Sequence, residues 1–153
     1  MLLANADNSR PSMLAQPVSE LVVKFSESSD VLYLSLASTR CASFIHLLQE
    51  VVVKNTQQEF LTGVPEFLFT SSAQLIALKL LKRGATVDDS EIKKINKEVS
   101  DDYVAFADAY RNRLNSNRRS AGDMLAGDDL LTSDLDICKR ISPLVSSALG
   151  RNK

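Results

Sequence analysis

Between residues 31 and 52, apolar and small side chains recur at alternating steps of three and four: Val31, Leu34, Ser38, Cys41, Ile45, Leu48 and Val52. That rhythm follows 3.6 residues per turn, so one stripe of a long helix must face a shared interior. A second stripe, Tyr33, Ala37, Phe44, Leu47 and Val51, broadens the buried face, with Arg40 the exception along it. From 35 to 43 the side chains are mostly small, among them Ser35, Ala37, Ser38, Cys41, Ala42 and Ser43. Small residues let a neighbour approach closely, which places this helix, residues 30–54, at the centre of the packing. No stretch of the chain sustains the period of two that a half-exposed strand requires. The sequence reads as all-α.

Other segments repeat the pattern. Pro17 suits a first helical position, and Val18, Leu21, Val22 and Phe25 follow it on one face. Thr56-Gln57-Gln58-Glu59 has the form of a capping box opening a short helix that Gly63 ends. Pro65 restarts the chain, Thr70-Ser71-Ser72 kinks or caps it, and residues 73–81 are so apolar that burial nearly all round is expected. Lys82-Arg83-Gly84 gives a basic last turn and a terminating glycine. A helix over 90–115 carries Ile92, Ile95, Val99, Tyr103, Phe106, Tyr110 and Leu114 inward, with Lys93, Lys94, Lys97, Asp101, Asp108 and Arg111 outward. Asn115-Ser116-Asn117 is expected to end it, and the two glycines of 120–131 predict a loop. A last helix over 133–149 turns Leu135, Cys138, Ile141, Val145 and Leu149 inward and breaks near Pro143. The expectation is a single antiparallel bundle of five to six helices: a polar flexible arm over 1–16, the bundle over 17–150 and a basic tail over 151–153.

With 18 basic against 19 acidic residues, the formal charge is −1, which speaks against a protein that coats nucleic acid. Residues 1–17 lack the basic start and apolar core of a signal peptide, and no uncharged apolar run approaches a bilayer span. Cys41 and Cys138 share no ligand spacing and both fall on apolar stripes, so two reduced core thiols and a cytoplasmic location are expected.

Catalytic chemistry finds little footing. His46, the only histidine, lies on a polar arc with Thr39, Ser43 and Glu50, where one smooth helical turn does not orient a triad. The run Asp123, Asp128, Asp129, Asp134 and Asp136 fails the spacing of a calcium loop, and five glycines build no phosphate cradle. The sequence therefore implies no catalytic residue, no metal and no cofactor. The sharpest local feature is the basic cluster Arg111, Arg113, Arg118 and Arg119, placed at a helix end and in the loop beyond it. It either neutralises phosphates or pairs with the aspartates that follow.

What is left is binding by shape. The leading expectation is a non-catalytic protein-interaction module, whether adaptor, chaperone-like or regulatory subunit, with another protein or a second copy as partner. Candidate contact residues are Met13 and Leu14 in the arm, Phe67, Leu68 and Phe69 after the proline, and Met124, Leu125, Leu130 and Leu131 near the glycines. The second expectation is a nucleic-acid-binding or nucleoprotein subunit acting through the four arginines. No membrane partner is implied.

Overall fold

A computed structural model of the chain describes residues 14, 16–51, 63–125 and 127–150. Among them lie six helices: α1 (Val18–Ser28), α2 (Val31–Val51), α3 (Val64–Lys82), α4 (Asp89–Ala121), α5 (Asp129–Arg140) and α6 (Ser142–Ala148). They form an all-α bundle arranged around α2, which touches each of the other helices. Asp30, just before α2, accepts a hydrogen bond from Lys79 near the end of α3, so these two helices run antiparallel. Phe69 against Tyr103, and Ile76 clustered with Ile95, reverse the direction again for α4.

The small residues of α2 do what their size allows. The Ser35 hydroxyl donates to the Ser72 carbonyl at 2.9 Å, and the Ser72 hydroxyl donates to the Ser35 carbonyl at 2.8 Å. Thr39 joins the same Ser72 hydroxyl. Two backbones meet here with only hydroxyls between them. Thr39 and Ser43 are consequently buried, not on a polar arc, and the Ser43 hydroxyl turns back to the Arg40 carbonyl. Thr70-Ser71-Ser72 caps no new helix, because α3 runs through it unbroken.

Two boundaries move. α4 continues past Asn115 to Ala121 and stops at Gly122, whose φ of 78° is the left-handed conformation glycine adopts at no steric cost. Asn117 ends nothing; its amide is engaged with the Met124 carbonyl and with Asp128. α5 starts at Asp129 within the expected loop, because Asp128 caps it by accepting from the Leu131 N–H. The expected break near Pro143 is present, with α5 ending at Arg140 and Pro143 in the first turn of α6. The expected short helix over 56–62 and the basic tail lie outside the described residues, as does all of the arm except Leu14 and Gln16.

The core holds two features the periodicity hides. Cys41 and Cys138 are not reduced thiols: they form a disulfide. α5 packs against α2 so that their Cα atoms stand 5.2 Å apart, within bonding range across 97 residues of sequence. Next to Cys41, Arg40 is buried rather than an outlier. Its Nη2 donates to Asp134 Oδ2 at 2.9 Å and its Nε to the Tyr110 hydroxyl at 2.8 Å. The Tyr110 hydroxyl donates to the same carboxylate oxygen, and Asp134 Oδ1 accepts the first amide of α1, from Val18, at 2.8 Å. Phe44 stacks on Tyr110 at 4.2 Å and closes the network from water.

Segment 73–81 departs furthest from expectation. Leu81 is 57% exposed, and Ala73, Ala77, Leu78 and Leu80 are only half-buried. Both Val31–Glu50 and Val64–Lys82 are long and apolar enough to cross a bilayer, yet 72% of the first apolar window is buried against 33% of the second. α2 is apolar because it is core; α3 is covered only in part, with Leu81 exposed at its C-terminal end.

Candidate functional site

The uncovered side of α3 deepens into a groove at its N-terminal end. Gly63, with φ 81°, turns the chain into the helix, and Pro65 occupies the first turn, where its missing N–H has no partner to lose. Glu66, Phe69 and Thr70 then fall on one face at steps of three and four. α4 presents Ser100, Tyr103 and Val104 with the same spacing, and α2 contributes His46. Together they line an open cavity of about 430 Å³.

Its body is apolar. Phe69 meets Tyr103 edge to face at 5.3 Å, while Val104 is 57% exposed beside them. Pro65 is buried at the base. The polar tips converge at one point, where His46 Nδ1 bonds the Tyr103 hydroxyl. Burial first, then the carboxylates of Glu50 and Glu66, push the Tyr103 phenol above its usual range. The phenol is therefore protonated at neutral pH, a hydrogen-bonding group rather than a nucleophile. Glu50 and Glu66 are exposed, and among the described residues neither has a cation paired with it. Such a groove can accept an apolar side chain and present negative charge to whatever flanks it.

Of the residues proposed from sequence for partner contact, Phe69 alone lines this groove. Phe67 is half-buried against the core, and Leu68 is fully buried within it. Leu14 docks on the cluster of Phe44, Leu47 and Leu131, where Leu131 is itself buried; Met124, Leu125 and Leu130 pack half-buried on the same cluster. Met13 lies outside the described residues. Sequence reasoning missed Tyr103 and Val104 because the helical period assigns Tyr103 to the core and leaves Val104 unremarked. It missed His46 as a groove residue because its partner is 57 positions away.

The basic cluster divides. Arg113 grips Asp128 with two hydrogen bonds, Nε at 2.6 Å and Nη2 at 2.9 Å. Those bonds, opposed by burial and helped by Asn117, hold the Asp128 carboxyl down at about 2. Arg111 pairs with Asp108 at 3.2 Å on the surface. Arg118 and Arg119 stand exposed in the last turn of α4, not in a loop. Two of the four guanidiniums are thus engaged with carboxylates. Among the described residues no three His, Cys, Asp or Glu side chains converge as a metal site requires.

The chain matches no known protein family, no curated protein and no solved structure.

Proposed function

We propose that this protein is a non-catalytic interaction module that takes apolar side chains of another protein chain into the groove between α2, α3 and α4. One observation carries the reading: an open cavity lined by Phe69, Tyr103 and the 57%-exposed Val104, with the exposed carboxylate of Glu66 at its edge. Exposed apolar surface of that kind, rimmed by charge, is what a partner covers. Val104, Phe69 and Pro65 supply the greasy floor and Glu66 lies at the rim, with the Glu50 carboxylate close enough to act on the Tyr103 phenol. Adaptor or regulatory-subunit roles fit a module of this sort. The nucleic-acid reading has weaker support, since Arg113 and Arg111 already answer aspartates.

The disulfide bears on the compartment as well. A bond such as Cys41–Cys138 persists in oxidising surroundings, which favours a secreted, periplasmic or lumenal location over the cytoplasmic one expected from sequence.

A photo-crosslinking residue placed at Val104 in the full chain, expressed in its native cell, tests the binding role. An adduct with a protein chain is expected at this position and not at the exposed Arg140 on α5, and Phe69→Asp should abolish it. No adduct at Val104, or equal adducts at both positions, would overturn the proposal.

A further inference from the structure

The rim of the groove calls for cations beside an apolar anchor, and the same chain offers them at the other end of the α3/α4 pair. Leu81 (57% exposed) is followed by exposed Lys82 and Arg83, and Ile92 (43% exposed) by exposed Lys93 and Lys94. Among the described residues, no carboxylate is within ion-pair distance of these four cations.

Their placement matches the groove. Leu81 lies eleven residues after Thr70, and Tyr103 lies eleven residues after Ile92. Eleven residues are close to three helical turns, so each pair shares a face, separated by about 16 Å along its helix. Because α3 and α4 are antiparallel, the groove (Glu66, Phe69, Thr70, Tyr103, Val104) and the basic corner (Leu81, Lys82, Arg83, Ile92, Lys93) sit at opposite ends of one layer. A two-fold axis midway between them brings each groove onto the other copy's corner.

We infer that the groove's occupant is a second copy of this chain, paired about a two-fold axis so that Leu81 and Ile92 of each copy enter the other's groove while Lys82 and Arg83 meet Glu66 and Glu50. This rests on the groove being a protein-binding site and names its partner. The arrangement is self-complementary, as a closed dimer requires, and satisfies both rims at once. A net charge of −1 leaves little long-range repulsion between copies. An anionic lipid surface would attract the basic corner but repel Glu50 and Glu66 at the other end of the layer, so it fits half of the face.

Sedimentation equilibrium of the full chain tests the pairing. The mass is expected to rise with concentration to twice 16.8 kDa. Leu81→Asp and Val104→Asp, both at exposed positions, should each weaken association about tenfold or more. Glu66→Lys alone, or Lys82→Glu with Arg83→Glu, should weaken it as well, and combining all three changes should restore it. A dimer indifferent to Leu81→Asp and Val104→Asp, or a triple variant weaker than its parts, overturns the inference. A chain that stays monomeric yet still crosslinks a different protein at Val104 overturns the inference and leaves the binding role intact. A monomer that crosslinks nothing overturns both, and one that co-floats with anionic vesicles assigns the face to lipid.

Discussion

Arg40 and Asp134 are 2% and 0% exposed, a pair whose desolvation is tolerable only while every lone pair is used. Asp134 meets that condition through Arg40, Tyr110 and the Val18 amide. Asp134→Ala leaves a buried guanidinium unanswered and should cost about 3–5 kcal/mol by denaturant melts. Arg40→Met with Asp134→Leu should cost clearly less, since no charge is stranded; equal losses would contradict the network. Asp128 gives a pH signature. Its folded value of about 2 lies below the ordinary 3.8, so its stabilisation is complete above about pH 4 and is lost as pH falls toward 2. With Arg113 partly exposed, the effect should be on the order of 1 kcal/mol. Asp128→Asn keeps an N-cap but should flatten that part of the acid-unfolding profile, and an unchanged profile would count against the pairing. Of these residues, Arg40 was legible as an exception on a buried stripe. Its partner was not, because Asp134 is 94 positions away and sits in an acidic run that reads as a helix start.

Among the elements, what was legible was local. Pro143 breaks its helix through its own ring, and the central helix declares itself through small residues on one face. The end of α4 was misread because Asn115-Ser116-Asn117 looks like a stop, while Asn117 instead holds the following loop through its side chain. The disulfide was illegible for a related reason: two cysteines on separate stripes show no spacing that distinguishes bonded from free. It ties α5 to α2 over a 97-residue separation. Reduction, or Cys41→Ser with Cys138→Ser, should lower the unfolding free energy by about 2–4 kcal/mol. Superimposable melts with and without reductant would contradict the bond. Ser71 offers the opposite case. Its hydroxyl is buried without a hydrogen-bond partner among the described residues, so Ser71→Ala should be neutral or slightly stabilising in the same melts.

At the scale of the molecule, the all-α class was readable from periodicity alone, since each stripe needs only its own helix to be seen. Of the candidate site, only Phe69 was. Its lining comes from three helices, and the apolarity of 73–81, which predicts burial, cannot say whether this chain or another one supplies the cover. The surface that results is an α3/α4 layer with an acidic groove at one end and a basic, apolar corner at the other. Methyl chemical shifts of the full chain, followed as its concentration rises, interrogate that layer most directly. Shifts are expected at Leu81, Ile92 and Val104, with Leu131 and Val145 unmoved. Shifts confined to α5 and α6, or none at any concentration, would contradict it.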